Sequence, residues 1–123
     1  MYILPGFIDA HTHISSLDAA KRALESGVTT ARSASTSGFQ DVSIREMVKA
    51  GKLIGPDMIA AGIFVTPNLG ETILADVRLA DLSNGVNKEN ELRKLVQINI
   101  DRGVDIIKTR GTERAGLPFT DPR

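Results

Sequence analysis

Twice in this chain a helical run ends on glycine and passes with no spacer into a β-branched run, and this constrains the fold more than any other feature. From about Leu17 to Ser26, apolar Leu17, Ala20, Ala23 and Leu24 recur at helical spacing; Gly27 follows, and Val28-Thr29-Thr30-Ala31-Arg32 reads as a strand. The same order returns at Leu92 to Arg102, with Leu92, Leu95, Val96 and Ile100, then Gly103, then Val104-Asp105-Ile106-Ile107-Lys108. A glycine just past a helix adopts the left-handed conformation with no Cβ penalty, so the chain can turn at once. Between these units, Val42 to Ala50 reads as a helix ended by Gly51, and Pro56 introduces an apolar strand from Met58 to Val65. With Phe7 to His13 as the opening strand, the predicted order is strand, helix, strand, helix, strand, helix, strand. Such alternation implies an α/β fold of parallel strands joined by right-handed helical crossovers.

Connection lengths sharpen the picture. Junctions from helix to strand are minimal at Gly27 and Gly103, whereas the segments after strands are long and polar: 33–40, 66–89 and 109–123. Loops after strands gather at the carboxyl edge of a parallel sheet, where α/β proteins build their sites. The stretch Pro67-Asn68-Leu69-Gly70-Glu71-Thr72 opens the longest of these. It is read either as a roof over a pocket or as a packed Ω-like connection.

Composition excludes several classes. Fifteen basic and fifteen acidic side chains give a net charge of zero, which argues against a nucleic-acid partner. No apolar run approaches the roughly 18 residues of a membrane span, so no membrane association is expected. The opening residues lack the basic and long apolar regions of a secretory signal, and there is no cysteine for a disulfide framework. A cytoplasmic location is the expectation. Neither G-x-x-x-x-G-K-[ST] nor G-x-G-x-x-G occurs, so a nucleotide-binding loop of those kinds has no support.

The chemistry concentrates in Asp9-Ala10-His11-Thr12-His13, which holds both histidines of the chain. Alternation along a strand would place Asp9, His11 and His13 on one face. Two imidazoles at i and i+2 can chelate one metal ion, and Asp9, one step deeper, could orient an imidazole from behind. A bare H-x-H on a strand can also be incidental. Lys108, at the end of an apolar strand, reads either as a snorkelling surface lysine or as a desolvated amine able to take up carbon dioxide as a carbamate. Arg110 and Arg114 follow on the same edge. Their guanidinium forks suit a substrate carboxylate, or they pair with Glu113 or Asp121.

The segment Pro5-Gly6-Phe7-Ile8-Asp9-Ala10-His11-Thr12-His13 resembles the opening strand of the metal-dependent amidohydrolase superfamily, P-G-apolar-apolar-D-x-H-x-H. Ala20 to Arg32 is similar to that superfamily's first helix and second strand, Gly55-Pro56 with Met58 and Ala61-Gly62 to its entry into the third, and Gly103 to Lys108 to the fourth strand, which carries the metal-bridging lysine. The resemblance implies a (β/α)₈ TIM barrel, which needs about 250 residues. Residues 1–123 would then be its N-terminal half, about four parallel strands with three intervening helices, a fragment of a longer chain. It further implies one or two divalent metal ions, zinc being expected, held by His11, His13 and a carboxylated Lys108, with Asp9 behind them. Arg110 and Arg114 would meet a small-molecule substrate. The implied activity is hydrolysis of a carbon–nitrogen bond in an amide, dipeptide or cyclic amide through a metal-activated hydroxide, with the dipeptidase and imidazolonepropionase-like branch nearest. The fragment alone is expected to be inactive, its partners being the remainder of the barrel and a further copy in a homo-oligomer. The alternative is a non-catalytic half-barrel that serves as a binding or assembly module. One departure stands out: Arg32-Ser33-Ala34 occupies the place where many relatives have arginine followed by aspartate.

Overall fold

The structure is a computed structural model that describes residues 2–110. Three strands form a parallel sheet in the order β1 (Phe7–Thr12), β2 (Val28–Ser33), β3 (Asp57–Ala60). Helices α1 (Leu17–Glu25) and α2 (Gln40–Lys49) make the crossovers, and α3 (Glu89–Asp101) follows β3. The predicted α/β alternation is present; α1 begins at the residue that periodicity predicts, and α2 and α3 begin two and three residues earlier than predicted.

Local chemistry accounts for the helix ends. Ser16 caps α1, its hydroxyl accepting the Ala19 N–H at 3.1 Å. Glu91 reaches back from the first turn of α3 to accept the N–H groups of Asn87 and Lys88. Gly27 and Gly103 adopt φ of 94° and 78°, which lets each chain reversal follow its helix directly.

One face of the sheet is covered. Ala31, Met58 and Ala60 are buried there, with Ala20 of α1 and Ile44 of α2 packed on Ala31 and Met58. A second core lies between α2, α3 and the segment after β3, built on Ile63, Val65, Leu79, Leu82, Leu95 and Ile98. The opposite face is open: Ile8 and Ile59, in register with that side of β2, are 75 % and 39 % exposed. In a closed barrel these positions would face the interior, where side chains from alternate strands fill the space.

Two strands differ from expectation. The third stops at Ala60 rather than running to Val65, because its next three N–H groups are taken by side chains. Ala61 and Gly62 donate to Asp41 Oδ2 at 3.0 and 3.1 Å, and Ile63 donates to Asn99 Oδ1 at 3.0 Å. Gly62 turns the chain there with φ of 68°. A Cβ on Gly62 would lie 2.5 Å from Asn99 Oδ1 and 2.6 Å from Val104 Cγ1. Gly62→Ala is therefore expected to cost about 2–3 kcal/mol, from the left-handed backbone together with overpacking, read as a lower urea midpoint at unchanged slope.

The fourth segment, 104–108, lies alongside the third in parallel, as expected, but without a regular ladder. Asp105 donates its N–H to Ala60 O at 2.8 Å, Val65 donates to Lys108 O at 2.8 Å, and Val65 bridges Thr109. The break follows from Asp105, whose carboxylate accepts both the Ala60 N–H and the guanidinium of Arg45. Arg45, buried in α2, also donates to Gly103 O at 2.7 Å and so ties α2 to this turn. Burial opposes the charge on Arg45, yet its bonds to Asp105 and Glu46 leave its pKa raised.

The long connection after β3 takes the packed form. It contains two 3₁₀ helices, η1 (Gly70–Ala75) and η2 (Val77–Leu82), and it buries Leu69, Leu79, Leu82 and Val86 in the second core. Buried Asp76 fastens it: its carboxylate accepts from Arg78 Nε and Nη2 and from Arg102 Nε of the α3 terminus. The hydrogen bond from the Arg78 side chain is the main reason that the Asp76 pKa lies well below its ordinary value, with burial acting in the opposite sense. A carboxylate whose pKa is depressed on folding contributes stability above its unfolded pKa, about 3.9, and loses it as pH falls toward the folded value. The expected result is that Asp76→Asn lowers stability at pH 7 and flattens its decline below about pH 4, measured by urea unfolding across pH.

Candidate metal and substrate site

β1 delivers both histidines to the carboxyl edge of the sheet. Thr12 pairs with Ser33, which pairs with Ala60 on the helix-covered face, so flanking His11 and His13 are turned to the open one. Asp9 pairs instead with Ala31, and the register slips between Asp9 and Thr12. That irregularity interrupts the simple alternation of the strand between Asp9 and the imidazoles. The Asp9 carboxylate accepts the backbone N–H of His11 at 3.0 Å, and so shapes the strand at the histidine pair.

The two imidazoles lie edge to face, ring centroids 5.4 Å apart at 67°. His13 Nδ1 lies 2.8 Å from the carbonyl oxygen of Ser35. A carbonyl only accepts, so Nδ1 is the donor in this contact and Nε2 is the nitrogen left for coordination. Ser35 itself holds φ of 91°, a conformation that costs a non-glycine residue of the order of 1–3 kcal/mol and that concentrates at functional sites. The loop that carries it is secured from both sides: Ala34 donates to Thr12 O at 2.7 Å and Thr36 to Gly62 O at 2.8 Å. The hydroxyls of Ser33 and Ser35 are both buried without a hydrogen-bond partner among the described residues.

Phe64 sits beside the pair. Its ring centroid is 5.8 Å from that of His13, and the guanidinium carbon of Arg110 lies 3.6 Å over its face. His13, Phe64 and Arg110 therefore stack in that order along the sheet edge. Lys108 is half-buried on the same edge, its carbonyl bonded to Val65 N–H. Arg114 lies outside the described residues.

The donor set fits a metal ion in part. Two imidazoles converge and one is tautomerically fixed for coordination, as ligating histidines require. Among the described residues no group of three or more His, Cys, Asp or Glu side chains is placed to hold a metal, so the pair needs Lys108 or groups beyond residues 2–110 to complete a site. No helix among the described residues is long and apolar enough to cross a membrane. A shallow cleft of about 230 Å³ between the starts of α1 and α2, lined by Ser15, Ser16, Gln40 and Met47, contains none of the predicted site residues.

Periodicity gave no hint of Ser35, which acts through its backbone carbonyl. Phe64 was placed on the third strand, but its contact with His13 depends on where that strand ends.

Comparison with known proteins agrees with this geometry. Residues 2–122 match the Amidohydrolase family. Among solved structures, a protein of Bifidobacterium longum assigned as a prolidase aligns with TM-score 0.65 and 30 % identity, over 88 % of this chain and 26 % of that one. A Xaa-Pro dipeptidase with methionine bound in its active site aligns with TM-score 0.70 and 24 % identity, over 88 % and 34 %. A prolidase complexed with N-methylphosphonate-L-proline aligns with TM-score 0.63 and 21 % identity, over 95 % and 36 %. The chain thus spans between a quarter and somewhat over a third of these solved chains, and its sheet and helices correspond to part of a TIM barrel. No curated protein shows significant similarity. With the match covering all but the first and last residues, the chain belongs to the amidohydrolase family.

Proposed function

We propose that the protein containing this chain is a metal-dependent hydrolase of carbon–nitrogen bonds in dipeptides and related amides. The observation that carries this reading is the imidazole pair at the end of β1, with His13 Nδ1 committed to the Ser35 carbonyl and Nε2 left for coordination. In this reading His11, His13 and Lys108, the last as a carbamate, hold one or two divalent ions, zinc first among them. Such an ion supplies Lewis acidity and lowers the pKa of a coordinated water from 15.7 to about 7.

The chain's own residues orient and bind. Ser35 fixes the ring of His13, Asp9 holds the backbone at His11, and Arg110 offers in-plane N–H donors to a substrate carboxylate. Family membership supports amide hydrolysis. A prolidase and an Xaa-Pro dipeptidase among the structural neighbours support dipeptides, including those ending in proline, as the substrate class.

The test uses the intact protein, stripped of metal and reconstituted with zinc and bicarbonate, against a panel of dipeptides and neutral N-acyl amides. Hydrolysis that disappears on chelation and returns with zinc is the expected result. No turnover on any member of the panel after verified zinc loading would reject the reading in favour of a non-catalytic module.

A further inference from the structure

Phe64 is a half-buried aromatic residue in a chain with only four phenylalanines, one tyrosine and no tryptophan, and it touches both chemistry-bearing groups of this edge. We propose that Phe64 is a specificity-determining positioning residue that holds the Arg110 guanidinium at a fixed place relative to His13, so that Arg110 selects substrates carrying a free carboxylate. The inference rests on the hydrolase reading for its substrate and adds to it the residue that sets the selection.

Three observations bear the weight. First, the guanidinium lies over the ring face at 3.6 Å, well within the roughly 6 Å at which a cation is attracted by an aromatic quadrupole. Stacking occupies the face of the guanidinium and leaves its N–H donors, which lie in the plane, free for a bidentate carboxylate. Phenylalanine has no polar group to compete for those donors. Second, the arrangement is built into the backbone. Val65 donates to Lys108 O at 2.8 Å and Arg110 donates to Val65 O at 3.1 Å, so the residue after Phe64 is bonded on both sides to the strand that carries Arg110. Third, the other edge of the stack is fixed as well, because His13 is held by the Ser35 carbonyl. Among the described residues Arg110 forms no ion pair, so no internal carboxylate there occupies its fork.

The probes are N-acetyl-L-proline and its C-terminal amide, with binding to the intact, zinc-loaded protein measured by calorimetry. The unmodified protein is expected to prefer the carboxylate by at least about tenfold, the scale of a hydrogen bond to a charged group. Phe64→Leu keeps apolar bulk but removes the ring face, and is expected to bring the ratio within about threefold of unity with zinc content unchanged; Phe64→Tyr is expected to retain the preference. In turnover of a carboxylate-bearing dipeptide, Phe64→Leu should raise KM about tenfold and move kcat less than about threefold. An unmodified protein that does not discriminate, or a Phe64→Leu protein that weakens both probes equally, would overturn the proposal. Discrimination without hydrolysis of any amide would instead reject the hydrolase reading and leave the role of Phe64 standing. Hydrolysis without carboxylate preference would do the reverse.

Discussion

Replacing His13 by alanine in the intact protein is expected to lower bound metal and to reduce kcat to below about one-thousandth, because water without a metal ion keeps a pKa near 15.7 rather than about 7. His11→Ala should act in the same direction. Both histidines are exposed, and substitutions at exposed positions ordinarily change stability by no more than about 0.5 kcal/mol. Loss of metal and activity at an unchanged urea midpoint would therefore identify ligands rather than structural residues. His13 differs from His11 in one respect: its ring already has a partner, the Ser35 carbonyl at 2.8 Å, that fixes the tautomer. Unchanged metal stoichiometry in both variants would remove the imidazole pair from the site.

Asp41→Ala is expected to be the most damaging single substitution among the described residues for the fold, costing at least about 3 kcal/mol. Asp41 is fully buried at the start of α2. Its Oδ1 accepts from the Thr36 hydroxyl at 3.2 Å and the Val42 N–H at 2.9 Å, and its Oδ2 from the N–H groups of Ala61 and Gly62. Alanine would leave three backbone donors buried without partners, each costing about 1–3 kcal/mol. Helix α2 would also lose a negative charge at its positive end. Asparagine is expected to rescue little, since whichever way its amide is turned, its NH₂ group meets at least one of the same donors. The check is urea unfolding of Asp41→Ala and Asp41→Asn beside an exposed control such as Lys52→Gln. A midpoint within error of the control would show that the chain near Gly62 finds other acceptors.

The parts legible in the sequence are those governed by neighbouring residues. Helical periodicity and the stops at Gly27, Gly51 and Gly103 placed α1, α2 and α3, because a helix and its terminal turn are decided within a few residues. The H-x-H pair was equally plain, its spacing being a property of five consecutive residues. Less legible was anything that required a partner distant in the chain. Apolar content continues the third strand to Val65, but Asp41, some twenty residues earlier, and Asn99, some thirty-five later, take the N–H groups that a longer ladder would need. For the same reason the fourth segment lies beside β3 without completing a ladder, with Asp105 turned to Arg45 and Ala60.

The site shows the same division. Sequence alone determined that His11 and His13 share a strand end and that Lys108 and Arg110 follow a parallel strand, since order and alternation fix which edge of a parallel sheet each residue reaches. Only the tertiary structure decided that the register slips between Asp9 and Thr12, that the strained Ser35 carbonyl meets Nδ1 of His13, and that Phe64 joins His13 to Arg110. Each of these depends on contacts between segments more than twenty residues apart or on a slip in strand register. Hydrophobic pattern constrains which face is buried, but it does not encode where a ladder slips or which carbonyl meets a ring nitrogen.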